Sequence, residues 1–170
     1  MKTFWQKPTK NHGDNMRKIT IVCVGKLKEK YWQDAVNEYT KRISRFAEIK
    51  ITEIEESKII DGAQATINKA LQEEAKKILN LTQNKIVIPL CIEGKQQDSV
   101  GFCKTIINAT DNGELCFVVG SSYGLDNIIK NLGTPLSFGK ITLPHQLMRV
   151  VLCEQIYRAF TIQNNITYHK

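Results

Sequence analysis

A chain of 170 residues with 42% hydrophobic and 24% charged side chains is long enough to fold as one globular domain around a core of its own. It has no apolar run long enough to span a bilayer, and its five cysteines, Cys23, Cys91, Cys103, Cys116 and Cys153, include no C-x-x-C pair. They read as small buried hydrophobes of a reducing cytoplasm, which excludes a disulfide or zinc framework. The net charge of +7, of which +2 falls in the first fifteen residues, favours a polyanionic partner without naming one.

Residues 1–15 hold Phe4 and Trp5 among Lys, Asn, Thr, Pro and Gly, with no apolar period. They read as a leader rather than a secretory signal or a folded element, and Met16 reads as the natural start of a single domain over residues 16–170. Lys18 to Val24 is β-branched and apolar, ends at Gly25, and predicts a buried strand. Trp32, Ala35, Val36, Tyr39, Ile43 and Phe46 then recur at spacings of three and four, an amphipathic helix over Glu29 to Phe46. Glu48 to Ile54 is a weaker strand, and Ala63 to Leu81 a second helix. Lys85 to Ile92 is a third strand whose Pro89 points to an edge or a local irregularity. Helix over Ser99 to Thr110, strand over Glu114 to Val119, short helix over Asp126 to Leu132 and strand over Pro135 to Phe138 lead into the terminal helix.

That helix is the unusual one. Projected at 100° per residue, Leu147, Val150, Val151, Leu152, Cys153, Ile156, Tyr157, Ala159 and Phe160 leave no wide polar face. A helix apolar almost all round needs cover on more than one side, and a second copy of the chain is the expected source of part of it. The alternation of strand and helix, without repeat or linker, predicts an α/β fold with a largely parallel sheet and helices on both faces.

Ligands of an open parallel sheet bind outside the carboxyl ends of its strands. Those ends are Gly25 to Lys28, Glu93-Gly-Lys95, Gly120 to Gly124 and Phe138-Gly-Lys140, each with a glycine that lets backbone approach a ligand. None matches a dinucleotide or Walker loop, and no metal site is expected. His145, after Pro144, reads as a capping or packing imidazole. Glu154 and Arg158 are placed to pair at i, i+4 in partly buried surroundings. Arg149 points away from Glu154 and is expected to meet a different surface, the plainer alternative being a snorkelling side chain on the helix rim.

Lys18 to Trp32, Phe117 to Gly120 with Tyr123-Gly-Leu125, Leu136 to Phe160 and the end Tyr168-His-Lys170 together resemble the ribosomal RNA large subunit methyltransferase H family of the SPOUT class. The resemblance runs in order over residues 16–170, and Leu143 to Val151 with Tyr157-Arg-Ala-Phe160 carries it most specifically. It implies a C-terminal trefoil knot, a rare exception to unknotted chains, and a homodimer. It implies S-adenosyl-L-methionine as cofactor, held by Leu90, Gly120, Phe138, Gly139, Lys140, Ile141, Thr142 and Leu143. Ser121 departs from the family, where many relatives carry a second glycine.

The activity implied is methylation of N3 of a pseudouridine in 23S ribosomal RNA within the assembled ribosome, in the cytoplasm, with no DNA or membrane partner. His169 is then the candidate base, Tyr168 the group that stacks on or hydrogen-bonds the target base, and Arg158 the holder of a phosphate or ring oxygen. Lys26, Lys28, Lys30, Lys41, Arg42 and Arg45 are candidates to grip RNA phosphates. Two alternatives stay open at this point: a ribosome-binding factor of the same fold without catalysis, and a SPOUT enzyme acting on transfer RNA.

Overall fold

The computed structural model of the chain describes residues 16–170, so the expected leader lies outside the described residues. The elements follow as β1 (Arg17–Val24), α1 (Lys30–Ile43), β2 (Ala47–Ile54), α2 (Gln64–Thr82), β3 (Ile86–Gln96), α3 (Ser99–Asn112), β4 (Leu115–Val119), α4 (Asn127–Lys130), β5 (Leu136–Ser137) and α5 (His145–Gln163). All five strands are parallel, in the order β2-β1-β4-β3-β5. The predicted α/β class is what is found.

The strands are apolar throughout because both faces are covered, and the alternation of side chains divides them between two cores. Ile19, Ile21 and Cys23 of β1 join Leu115, Phe117 and Val119 of β4 beneath α1, α3 and α5. Val22, Val24, Cys116 and Val118 face the other way, against Ala75 and Ile78 of α2 and Ile129 of α4. Cys23, Cys103, Cys116 and Cys153 are buried and all five cysteines are unpaired thiols. Burial pushes Cys23 and Cys153 up to about 12 and Cys116 up to about 11, so these thiols stay protonated and inert.

Two local readings change. β3 is interior rather than an edge, but β5 pairs with it only from Leu90, and the register shifts between Leu90 and Lys95. Pro89 therefore sits where the β5 side asks for no ladder hydrogen bond, which is why the sheet tolerates it. Gly94 lies within β3 rather than in a loop: a Cβ there would stand 2.6 Å from the Leu136 carbonyl carbon, so its absence lets β5 close on the shifted strand.

Helix α5 packs against α1 and α3, and Phe160 stacks on Phe46 with ring centroids 5.5 Å apart. Leu152, Cys153, Ile156, Ala159 and Phe160 are buried by the chain's own elements, whereas Leu147, Val150 and Val151 are only half-buried. Its own fold covers two sides of the helix and leaves an apolar strip.

Arg149 meets a surface remote from Glu154, as expected, and its contacts have the largest consequence. It does not snorkel: the residue is 1% exposed, its Nη1 donates to Oε1 of Glu53 at 2.7 Å, and its Nη2 donates to the carbonyls of Val24 and Gly25 at 2.9 and 2.8 Å. The same Glu53 oxygen accepts the Leu27 amide at 2.9 Å, and Gln146 Oε1 accepts the Lys28 amide at 3.2 Å. The start of α5 is thus tied to the carboxyl ends of β1 and β2. Removing Arg149 leaves a half-buried Glu53 and strands the Val24 and Gly25 carbonyls without their donor, at a cost of about 1–3 kcal/mol. Arg149→Ala should lower unfolding stability by about that amount in urea titrations; a loss below about 1 kcal/mol would show that the bond network contributes nothing there.

Candidate active site

A cleft of about 660 Å³ opens at the carboxyl ends of β3, β4 and β5. Leu90 and Val119 form its floor with the ends of their strands, the Gly120 to Leu125 turn forms one wall, and Phe138 to Leu143 the other. Met148 and His145, in the first turns of α5, close the inner side. The volume suits a ligand of nucleoside size, in the range usual for small-molecule sites.

The sequence explains why the backbone is bare here. Gly120 is pressed against the returning turn, where a Cβ would meet the Gly124 carbonyl oxygen at 2.3 Å, and Gly124 donates its amide to Ser121 at 2.9 Å. Gly139 has φ +137°, which L side chains rarely adopt. Its amide donates to the Ser137 hydroxyl at 3.1 Å, and that hydroxyl donates to the Gly139 carbonyl at 2.9 Å. Phe138 is anchored edge-on against Phe102 at 5.6 Å, so this wall grows out of the core. Of the residues expected to hold a cofactor, Leu90, Gly120, Phe138, Gly139, Ile141, Thr142 and Leu143 line the cleft; Lys140 is exposed and does not.

His145 makes no side-chain cap of α5, contrary to the capping reading, and lines the cleft instead. Burial first, and then the Arg149 cation, hold its pKa below the usual imidazole value, so it is neutral at physiological pH. A lone histidine after proline carries no sign of this in sequence; only the fold brings Gly25, Glu56 and Arg149 to it.

The other predicted group assembles elsewhere on α5. Glu154 Oε1 accepts from Arg158 Nε at 3.0 Å and Nη2 at 2.5 Å, and from the Tyr168 hydroxyl at 3.0 Å. The Arg158 guanidinium lies 4.7 Å above the Tyr168 ring, and Tyr157 meets that ring edge-on at 4.9 Å. Burial, with hydrogen bonding to Tyr39 and Glu154, pushes the Tyr168 phenol well above its ordinary pKa, so it acts as a donor. His169 Nδ1 stands 3.4 Å from Arg158 Nη1, where a guanidinium can only donate. Arg158, Tyr168 and His169 are therefore brought together, but none of them lines the cleft of the same chain.

Among the basic candidates, Lys26, Lys28, Lys30, Lys41, Arg42 and Arg45 are all exposed. Lys30 pairs with Asp34 and Arg42 with Glu38, and Arg42 also lies over the Tyr39 and Tyr157 rings at 5.6 and 5.7 Å. No cluster of metal-ligating side chains occurs among the described residues, and none of the described helices is long and apolar enough to cross a membrane.

A family model described as "Predicted SPOUT methyltransferase" matches residues 17–169. A protein of Streptococcus uberis named "Ribosomal RNA large subunit methyltransferase H" is 49% identical over 158 residues, covering 90% of this chain and 99% of that protein. Proteins of the same name from Streptococcus pneumoniae are 48% identical over the same length and shares. The glycine-walled cleft at the strand ends, the Glu154-centred tail and this agreement along nearly the whole chain have one explanation: the chain belongs to the SPOUT methyltransferases, in the ribosomal RNA large subunit methyltransferase H family.

Proposed function

We propose that the chain is a cytoplasmic S-adenosylmethionine-dependent methyltransferase that modifies N3 of a pseudouridine in 23S ribosomal RNA, on the assembled ribosome, as a homodimer. The observation that carries the reading is the cleft itself, walled by backbone at Gly120 and Gly139 in a chain that aligns with its named relatives over 90% of its length. The donor set fits the cofactor. Leu90, Val119, Leu136 and Met148 offer apolar surface to a purine, and amides of the two turns offer donors to a carboxylate or ribose.

When bound, the cofactor supplies an electrophilic methyl on sulfonium sulfur. The chain has to position the base, exclude water and take the N3 proton. His169 is the proposed base. Its Nδ1 must exchange the long contact to Arg158 for the N3–H, and the long distance makes that exchange inexpensive. Tyr168, kept protonated, donates to or stacks on the base, and Arg158, kept cationic by Glu154, faces a phosphate or ring oxygen. Since these groups do not line the cleft of their own chain, the proposed second copy supplies them, seated on the half-exposed strip of Leu147, Val150 and Val151. Lys26, Lys28, Lys41 and Arg45 offer charge to RNA phosphates without giving sequence selectivity. A small chain of this kind draws its selectivity from the ribosome's shape.

Nucleoside mass spectrometry after incubation with S-adenosylmethionine should find 3-methylpseudouridine in ribosomes and far less in naked ribosomal RNA. Its absence from ribosomes would overturn the assignment, label in a transfer RNA pool would favour the second substrate, and equal labelling of naked RNA would end the assembled-ribosome claim. For the base, His169→Ala should slow single-turnover methylation about a hundredfold near neutral pH. The deficit should shrink as alkali ionises N3 unaided, and an unchanged rate and pH profile would reject the role.

A further inference from the structure

Glu74 is the buried carboxyl that nothing above employs. It sits in α2, 3% exposed, on the side of the sheet opposite α5, and its sequence context, Gln-Glu-Glu-Ala-Lys, reads as an ordinary solvated helix face. Its Oε1 accepts the backbone amide of Ser57 at 2.9 Å, and the neighbouring Ser121 hydroxyl favours its ionised form. One residue along each loop, the Ser122 hydroxyl donates to Oε1 of Glu56 at 3.2 Å. Glu74 thus holds the loop after β2 at Ser57, and the adjoining residue, Glu56, ties that loop to Ser122 in the turn after β4. β1 lies between those strands, so the junction spans its carboxyl end, over Gly25.

Ser121 and Gly120 line the cleft, and Ser121 is 8% exposed. The turn they belong to has only a short strand before it and a four-residue helix after it, so its placement depends on what holds it from outside. We infer that Glu74 is a positioning residue for the cofactor wall, drawing the turn from Gly120 to Gly124 into place through the Ser57 amide and the adjoining Glu56–Ser122 hydrogen bond. A carboxylate suits the task because a charged acceptor gives the Ser57 amide a stronger hydrogen bond than a neutral one would. The inference rests on reading the cleft as the cofactor site.

Burial raises the Glu74 pKa above the ordinary carboxyl value, against the pull of Ser57, Ser121 and Lys77 and with some help from Glu56. The folded protein thus binds this proton more readily than the unfolded chain, so ionised Glu74 subtracts stability once pH rises past the ordinary carboxyl pKa. A carboxyl buried at such a cost, at the back of a ligand wall, is explained by the loop amide it holds.

Hydrogen exchange of the free protein and titration calorimetry with S-adenosylmethionine test this together. Glu74→Leu removes both acceptors. It should speed exchange at residues 120–124 and 55–58 while leaving β1 and β4 protected, and weaken cofactor binding about tenfold, which is about 1.4 kcal/mol. Glu74→Gln keeps an acceptor for Ser57 without charge, so it should bind a few fold more weakly than the natural protein with a melting temperature no lower. The natural protein should lose affinity on acidification, and Glu74→Gln should lose part of that pH dependence, the remainder belonging to His145. If Glu74→Leu does not fold, Glu74→Gln decides. Natural exchange and affinity in the folded Leu variant, or a natural pH profile in the Gln variant, overturns the inference. No cofactor binding by the unaltered protein would instead defeat the reading of the cleft, while local loosening in the variants would still show Glu74 setting the turn.

Discussion

A guanidinium buried at the ends of two strands has to be neutralised where it stands, and this end of the molecule is arranged around that requirement. Arg149 meets it with one carboxylate and two backbone carbonyls, on β1, β2 and the turn after β1. No apolar contact would fix the direction of α5 as well, because dispersion and burial are not directional. Fixing α5 fixes both of its ends: the turn from Phe138 to Leu143 runs directly into its start, and the tail folds back on it at Glu154. The cost of burying the charge is the usual one for ion pairs that specify an arrangement more than they stabilise it.

From that anchor the helix presents two functional regions on one rigid body. His145 and Met148 belong to the cleft, while Glu154, Arg158, Tyr168 and His169 form a separate cluster further along. Arg149 and Arg158 are nine residues apart, roughly 14 Å of helix rise. A base cannot touch both regions of one chain without the tail leaving Glu154. A second copy seated along the strip of Leu147 and Val151 removes the difficulty, and it also gives a reason for a helix with no polar face. The tail is pre-organised before any substrate arrives, since Tyr168 is held by a hydrogen bond, a cation and a ring edge at once.

The legible part of this molecule was what period and order encode. β1 and β4 are apolar on both faces, which only a doubly covered parallel sheet explains, and the glycines at Gly120 and Gly139 marked the strand ends that became the cleft walls. What the order of residues does not carry is the identity of a partner remote in the chain. Helical projection gives the angle of Arg149 but not the presence of Glu53, 96 residues away, at that angle. Glu74 looks like one more charge on a polar face until Ser57 and Ser121 arrive. Gly94 reads as a loop glycine in sequence because β5 is too short to announce that it will press on β3 there. The tail could be recognised only through the family resemblance, since three residues after a helix carry no pattern.

In the proposed dimer one α5 serves two sites, its own cleft and its partner's. Subunit mixing measures this directly. Gly120→Val should abolish the cleft, given the 2.3 Å from a Cβ to the Gly124 oxygen, and a chain lacking Tyr168 to Lys170 should lack the tail. Each should be inactive alone on ribosomes. Mixed in equal amounts and allowed to exchange subunits, they should recover about a quarter of natural activity, because half the dimers then hold one intact cleft facing one intact tail. No recovery, with heterodimers demonstrably present, would contradict the shared site.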